Sequence, residues 1–380
     1  MKILITLTSQ QELAINEVKR LLSQRQPIIT IAGYAGTGKT TLVQYIIEAL
    51  NYQMNDVAFA CFTGKASLVL QQKGIPATTL HSLLYNSYMG KDGSFIHSKK
   101  SILDFDYKLI IIDEISMVSN DILEAAKSYK IPIIALGDIG QLPPIGEDNG
   151  LLQKPDVVLT EILRQEAENP IIQLSMDIRE GKALQKQKND NIMIVDKSDL
   201  IDGMFSWADQ ILCGYNTTRV ELNKKIREMK GYQDIIPEIG EKIICTRNYW
   251  NSTSSKFKSP LVNGTIGFVD KIHYATNKNQ EIDFKPDYID DLFEQIYTET
   301  SLYKGEKPQE QWTTRRGRKV KVMNNSILFD WGYAITTHRF QGSQANNILV
   351  FEEVLNRNTH KQWLYTAATR AVDKLIIVRQ

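Results

Sequence analysis

The stretch IITIAGYAGTGKT, residues 28–40, decides the fold class of this chain. Its first part, Ile28 to Ala32, is a short β-branched run that predicts a buried strand. Gly33 to Thr40 then matches G-x-x-x-x-G-K-[ST], in which glycines let backbone N–H groups surround phosphate oxygens at a helix N-terminus. Because a helical pattern, Thr41 to Leu50, follows, the segment indicates a phosphate-binding P-loop rather than an ordinary glycine turn.

The P-loop predicts a site for a triphosphate and Mg²⁺. Lys39 is expected to reach the β- and γ-phosphates, and the hydroxyl of Thr40 is expected to ligate the metal ion. The other loop residues expected at the nucleotide are Gly33, Gly36, Thr37, Gly38 and Thr41.

Two further apolar runs end in polar residues that suit this site. Leu109 to Ile112 runs directly into two carboxylates. We expect Asp113 to hold Mg²⁺ and Glu114 to polarise the attacking water as general base. In the segment Gly137 to Pro144, Gln141 is expected to hydrogen-bond the water or the γ-phosphate, although a proline-containing loop without a role is an equal alternative.

The pattern of short apolar runs separated by helical stretches predicts an α/β fold. Such strands form a parallel sheet that helices cover on both faces. The runs at 210–214 and 347–351 predict a second α/β domain, and the short strands and turns between them predict an inserted β module. The expected boundaries are 1–163 for the first domain, 164–236 and 330–380 for the second domain, and 237–329 for the insertion.

Composition excludes several classes of protein. Lys and Arg number 45 against 44 Asp and Glu, so a uniformly basic nucleic-acid coat protein is excluded, whereas a local basic channel is not. The 42% hydrophobic content supplies real cores and excludes disorder for the bulk of the chain. Three separated cysteines indicate neither a zinc site nor a disulfide framework, and they fit a reducing compartment. No apolar run approaches the ~20 residues of a membrane helix, so we expect a cytoplasmic protein without a membrane partner.

Taken in order, the motifs resemble those of superfamily 1 helicases, above all the RecD-like and phage Dda-like DNA helicases. The segments that carry the resemblance, besides those above, are 7–14, 60–66, 77–82, 159–165, 333–343 and 365–371. The resemblance implies two RecA-like motor domains, ATP and Mg²⁺ as cofactors, and DNA unwinding with 5′-to-3′ movement along a single strand. It also implies that the insertion at 237–329 is a small Src-homology-3-like barrel.

The resemblance extends the expected ATP site. Gln11 corresponds to the adenine-reading position, and Gln341 and Gly342 are expected at the nucleotide. Gln11 has a competing interpretation, because Thr8 and Gln11 also fit a capping box at the start of a helix. Arg164 and Arg370 are expected to meet the transition-state charge from across a cleft, an interaction that can be worth ~10³–10⁵ in rate. An ordinary ion pair is the alternative for each arginine.

The resemblance also implies a single-strand path that combines phosphate contacts with stacking. Phe62 would stack a base, or else belong to the core. The expected phosphate partners are Thr63, Lys65, Thr79, His81, Thr336 and His338. For these residues the alternative is structural, with His81 capping a helix and His338 holding a loop.

Two insertions are expected to act on the duplex. Residues 85–106 resemble the strand-separating β-hairpin of the family, with Phe95 near its tip, and an ordinary surface loop is the alternative. The basic run Arg315 to Lys321 would meet the displaced or tracking strand, or else form a solvated charged face.

The expected partners are single-stranded DNA, duplex junctions, and replication or recombination proteins, and the chain is expected to act as a monomer. Two other functions remain open. An RNA helicase would use the same motor motifs, because these read the backbone more than the bases. A non-unwinding adaptor would occupy single strands without turnover, which the Lys39, Asp113, Glu114 and Arg370 set disfavours.

Overall fold

The structure is a computed structural model that describes residues 7–72, 74–89, 95–143, 149–163, 168–256, 260–308, 311–315, 318–322 and 326–379. Its α-helices are α1 (Ser9–Ser23), α2 (Lys39–Ala49), α3 (Gly64–Gln72), α4 (Leu80–Leu84), α5 (Asn120–Lys127), α6 (Pro170–Glu180), α7 (Asp202–Trp207), α8 (Asn216–Met229) and α9 (His360–Ala368). Not one of these described helices has both the length and the apolar character needed to cross a bilayer.

The strands before the inserted module are β1 (Ile28–Gly33), β2 (Val57–Cys61), β3 (Ala77–Thr79), β4 (Tyr85–Met89), β5 (Phe95–Lys99), β6 (Leu109–Asp113), β7 (Ile133–Gly137), β8 (Val157–Leu159), β9 (Gln187–Lys188), β10 (Ile192–Asp196) and β11 (Gln210–Cys213). The later strands are β12 (Lys242–Cys245), β13 (Tyr249–Thr253), β14 (Pro260–Leu261), β15 (Ile266–Ala275), β16 (Asn279–Pro286), β17 (Phe293–Glu299), β18 (Gln311–Arg315), β19 (Arg318–Val322), β20 (Ile327–Trp331), β21 (Ala334–Thr336), β22 (Ala345–Phe351) and β23 (Ala371–Arg379).

The first sheet is parallel and has the order β3-β2-β6-β7-β1-β8. Its strands are almost wholly buried apolar runs, because α1, α2 and α3 cover one face and α4 and α5 cover the other. Parallel strands share one carboxyl edge, so the loop after β1 and the acidic residues after β6 and β7 meet there. The first expected domain thus has the predicted sheet.

Strand β7 starts two residues later than the apolar run of sequence that forms it. The run begins at Ile131, whereas β7 begins at Ile133. Pro132 has no N–H to donate to the sheet, and only its carbonyl takes part, accepting from Ile110 N at 2.9 Å.

The second sheet has the order β21-β11-β22-β23-β10-β9. Its pairs are parallel except at the edge, where β9 runs antiparallel to β10. Helices α6 and α9 pack on one face, and α7 and α8 pack on the other. The chain therefore contains two mainly parallel sheets, each covered by helices on both faces, as predicted for two RecA-like domains.

The inserted module is a closed barrel of β12-β15-β16-β17-β20. Phe284, Phe293 and Phe329 fill its centre, with Phe284 and Phe329 ring centroids 4.8 Å apart. The predicted small barrel is confirmed, although its last strand continues past residue 329 to Trp331. The expected domain boundaries themselves remain predictions.

Two antiparallel hairpins project from these units. Strands β4 and β5 pair from Tyr85–Lys99 to Met89–Phe95, so the segment 85–106 contains the expected hairpin. Its tip, residues 90–94, lies outside the described residues, and the Phe95 side chain is likewise not described. Strands β18 and β19 pair within the basic run, of which residues 316 and 317 lie outside the described part.

Candidate functional site

A cleft of about 520 Å³ opens between the first and second domains. The first domain contributes Lys39, Thr40 and the two carboxylates after β6, and the second domain contributes Arg370. The other predicted residues that line it are Gly36, Gly38, Thr41 and Gln141. The structure thus brings these predicted groups into one cavity, whereas Gly33 and Thr37 of the same loop are not among the residues that line it.

The P-loop has a conformation that only glycine permits at two positions. Gly36 and Gly38 have φ of 78° and 73°, in the left-handed region. A Cβ on Gly38 would also lie 2.9 Å from both Gln11 Nε2 and Leu163 Cδ1. This geometry starts α2 at Lys39, two residues earlier than predicted, with its N-terminal N–H groups facing the cleft.

Lys39 points back into its own loop. Its ammonium donates to the carbonyls of Gly33 and Tyr34, each at 2.9 Å. It also lies 4.0 Å from Asp138 Oδ2. The lysine is therefore held at the loop where a phosphate would bind.

Gln11 forms a capping box with Thr8, as the second interpretation of this residue predicted. Thr8 N donates to Gln11 Oε1 at 3.1 Å, and Gln11 N donates to Thr8 Oγ1 at 3.3 Å. The same side chain, 2% exposed, donates through Nε2 to Thr37 O at 3.2 Å. Gln11 thus ties α1 to the P-loop, and its adenine contact stays a prediction.

Glu114 directly follows β6, whose last residue is Asp113. Glu114 has φ of 56°, a left-handed conformation that is unusual outside glycine. Burial raises the pKa of Glu114 to about 6, Arg370 and Lys39 act to lower this pKa, and Asp113 and Asp138 act to raise it. A carboxylate with such a pKa suits a general base near neutral pH.

Arg370 reaches this cleft as the sequence predicts. It is 5% exposed, and its guanidinium donates to Thr366 O at 3.2 Å and to Ser343 O at 3.4 Å. Its influence on the pKa of Glu114 places positive charge from the second domain at the first-domain carboxylate. Its catalytic role stays a prediction, and Arg164 lies outside the described residues.

Gln141 lines the cleft, while residues 144–148 of its loop lie outside the described part. Its Nε2 lies 3.5 Å from Asp138 Oδ2. The other oxygen of Asp138 accepts Gly140 N at 2.8 Å, which folds this loop tightly around the carboxylate. Asp138 was not among the predicted residues, although it follows β7 as directly as Glu114 follows β6.

A second cavity, of about 400 Å³, lies between both motor domains and the barrel. Its lining includes five residues predicted to bind a single strand, namely Phe62, Thr63, Lys65, Thr336 and His338. The barrel adds Asn263 and Gly264, which the sequence did not suggest. We call this cavity the channel.

Gln341 lies in the channel and not in the cleft where it was expected. Its Nε2 donates to Leu142 O at 3.2 Å, across the domain boundary. Gly342 packs close to Thr63, since a Cβ there would lie 3.0 Å from Thr63 Oγ1. Instead, Gln344 and Thr369 line the second-domain side of the cleft.

Two predicted phosphate partners lie beside the channel. The hydroxyl of Thr79 accepts from Ser82 N at 3.1 Å and thereby caps α4. His81 packs its ring 6.1 Å from that of Phe62 and 6.0 Å from that of Tyr85. Capping a helix was the alternative role for His81. Thr79 caps α4 instead.

Lys65 crosses from the first domain to the barrel. Its ammonium lies 3.9 Å from Asp287 Oδ1, and it sits 5.7 Å from the ring centroid of Tyr288. Burial lowers the pKa of Lys65, and Asp287 acts to raise it. Burial likewise lowers the pKa of His338.

Two family models match the chain. Residues 6–198 match an AAA domain, and residues 332–378 match a UvrD-like helicase C-terminal domain.

Among similar proteins, the ATP-dependent RecD2 DNA helicase of Deinococcus radiodurans is 25% identical over 377 residues, covering 91% of this chain and 46% of that protein. The ATP-dependent DNA helicase dda of phage T4 is 32% identical over 191 residues, covering 46% and 43%. The chain thus spans less than half the length of these two relatives.

The crystal structure of Bacteroides Pif1 bound to ssDNA aligns with a TM-score of 0.56 at 20% identity, over 98% of this chain and 92% of that chain. Pif1 helicase from Candida albicans gives a TM-score of 0.54, also at 20% identity, over 99% and 94%. At this identity the likeness supports the fold, in agreement with the two α/β sheets and the barrel. The chain belongs to the superfamily 1 helicases of the RecD and Dda type.

Proposed function

We propose that this chain is an ATP-dependent DNA helicase that moves 5′ to 3′ along single-stranded DNA and unwinds duplex. The observation that carries the proposal is the cleft in which Lys39 of the first domain and Arg370 of the second domain line the same cavity. A site that needs groups from two domains couples hydrolysis to their relative position.

The chain's own residues account for the chemistry of hydrolysis. Glu114, with its raised pKa, accepts a proton from the attacking water, and Gln141 orients that water. Lys39 and Arg370 place positive charge on opposite sides of the transferred phosphoryl group.

Thr40 and Asp113 line the cleft together and offer the hard oxygen donors that Mg²⁺ prefers. When bound there with ATP, Mg²⁺ would neutralise charge that develops between the β- and γ-phosphates. One carboxylate and one hydroxyl are a sufficient protein contribution, because Mg²⁺ in such sites keeps waters and phosphate oxygens as its other ligands.

The channel explains how domain movement becomes strand movement. Phe62 and Thr63 belong to the first domain, whereas Thr336 and His338 belong to the second domain. Closing the cleft shortens the distance between these two sets, so a strand held by both is gripped differently in the open and closed states. Unequal grips in the two states give the movement a direction.

The hairpin of β4 and β5 is the proposed strand separator. It follows α4 directly, and Thr79 before this helix and His81 within it are the two residues that lie beside the channel. An apolar side chain at a duplex junction can break stacking at a cost of ~2–4 kcal/mol per step. The basic β18–β19 hairpin is proposed to meet the displaced or tracking strand.

Unwinding of tailed duplexes tests the proposal. Duplexes of one sequence carry a 5′ tail alone, a 3′ tail alone or no tail, and strand separation is measured with and without Mg·ATP. We expect unwinding of the 5′-tailed duplex only, and ATP hydrolysis that single-stranded DNA stimulates. Hydrolysis that RNA stimulates more strongly than matched DNA, or strand binding without hydrolysis, would replace this function with one of its alternatives.

A further inference from the structure

Tyr365 of the second domain touches two separate parts of the nucleotide site. It lies on α9 and is 2% exposed. Its hydroxyl accepts the N–H of Ala35 at 2.8 Å and donates to Asp138 Oδ2 at 2.9 Å. Ala35 belongs to the P-loop and Asp138 follows β7, so one side chain of the second domain joins both.

Asp138 extends this contact to the reacting groups. The carboxylate oxygen that accepts from Tyr365 lies 4.0 Å from Lys39 Nζ and 3.5 Å from Gln141 Nε2. The position of Tyr365 therefore affects both the P-loop lysine and the residue expected to orient the water.

The backbone of Tyr365 also fixes the segment that carries Arg370. Thr369 donates to Tyr365 O through its N–H at 3.0 Å and through its hydroxyl at 2.9 Å. Arg370 Nη2 in turn donates to Thr369 Oγ1 at 3.4 Å. A shift of Tyr365 relative to the P-loop would move the guanidinium with it.

The ring of Tyr365 is held by packing that does not need the hydroxyl. It meets the ring of Tyr34 edge-on at a centroid distance of 6.4 Å. It also covers Gly140, where an added Cβ would lie 2.8 Å from the ring. Phenylalanine would preserve this packing, so the hydroxyl can be tested separately from the fold.

We propose that Tyr365 is a positioning residue for ATP hydrolysis, whose hydroxyl sets the register between the P-loop and Arg370. This inference rests on the proposed function and deepens it by naming the contact through which the second domain engages the first. Tyr365 acts on the reaction by aligning Arg370 with the P-loop, and it does not itself exchange a proton with the substrate. Burial and the Asp138 carboxylate both raise the pKa of Tyr365, which keeps the hydroxyl protonated and able to donate.

The test is Tyr365→Phe in the full chain, with ATP hydrolysis measured at saturating single-stranded DNA. We expect kcat to fall ~10- to 100-fold, because a hydrogen bond to a charged group is lost. The KM for ATP should change less than ~3-fold, since Lys39 and Thr40 of the P-loop still line the cleft. Tyr303→Phe removes a buried hydroxyl from the barrel core and serves as the matched control, with wild-type kinetics expected.

A double-mutant cycle separates positioning from simple destabilisation. In an Arg370→Ala background, Tyr365→Phe should cost less than ~3-fold in kcat, because the group that it positions is absent. Equal losses in both backgrounds, or an unchanged kcat in the single variant, would overturn the inference. Thermal unfolding of each variant checks that it is folded.

Gly140→Ala provides a second route should Tyr365→Phe not fold. Its methyl group displaces the ring while the hydroxyl remains, and the same loss in kcat with a steady KM is expected. An unchanged kcat in this variant would count against the inference. A wild-type protein without DNA-stimulated hydrolysis would overturn the proposed function and this inference together, whereas equal rates for wild type and Tyr365→Phe would overturn the inference alone.

Discussion

Arg370 and Glu114 come from different domains, yet Arg370 is the strongest influence opposing the rise that burial causes in the pKa of Glu114. This relationship joins the group expected to complete the transition-state charge to the group expected to activate water. We therefore expect the pKa of Glu114 to depend on whether the cleft is open or closed.

ATP hydrolysis is expected to depend on pH through Glu114. Burial raises the pKa of Glu114 to about 6, and the base must be deprotonated to accept a proton. The value of kcat/KM for ATP should therefore be level above this pH and fall about tenfold per pH unit below it. An acid limb centred near 4.5, the ordinary glutamate value, would contradict the assignment.

Lys39→Ala should lose ATP hydrolysis and unwinding together. The ammonium donates to two P-loop carbonyls where the phosphates are expected, so its removal deletes positive charge at that point. A fall of ~10²–10³-fold or more in kcat is expected. Lys224→Ala, on the exposed face of α8, is the control. DNA-stimulated hydrolysis that survives in Lys39→Ala would defeat the assignment.

Phe95→Ala should separate hydrolysis from unwinding. Phe95 begins β5, the second strand of the β4–β5 hairpin. Single-strand-stimulated hydrolysis should be unchanged, whereas duplex separation should slow several-fold. Phe105→Ala removes an exposed phenylalanine of the same 85–106 segment that lies beyond the paired strands β4 and β5, and it should affect neither rate. Unchanged unwinding in Phe95→Ala would remove the strand-separator proposal.

Asp287→Asn should strengthen binding of single-stranded DNA. In the structure Asp287 competes for the ammonium of Lys65, which the channel would otherwise offer to a phosphate. One added phosphate contact should steepen the salt dependence of the binding constant by ~0.7 in log–log slope. Asp290→Asn alters an exposed barrel pair with Lys285 and is the matched control. Weaker binding by Asp287→Asn would show that the ion pair supports the channel instead.

Sequence patterns predicted the parts of the site that are local in the chain. The P-loop conformation depends on glycines at fixed spacing, and the carboxylates after β6 follow from where an apolar run ends. The position of Arg370 in the cleft was predicted only from the family resemblance. The residues next to Arg370 in the sequence do not indicate which groups it faces.

The remaining contacts depend on how separate units pack. Gln341 was expected at ATP, but the turn before β22 directs it into the channel and against Leu142. The pairing of Lys65 with Asp287 requires the barrel to dock on the first domain, where a Cβ on Gly64 would lie 2.3 Å from Val262. Tyr365 is the first residue of the 365–371 segment that carries the resemblance. Its two partners, Ala35 and Asp138, lie far away in the sequence, so motif spacing did not indicate its role.

The most direct test of the two-domain cleft is a parallel measurement of ATP binding, ATP hydrolysis and unwinding for wild type and Arg370→Ala on a 5′-tailed duplex. We predict that Arg370→Ala binds ATP about as well as wild type but loses ~10³-fold or more in hydrolysis, with unwinding lost to the same degree. Wild-type hydrolysis by Arg370→Ala would contradict the account, because the second domain would then contribute nothing to the reaction.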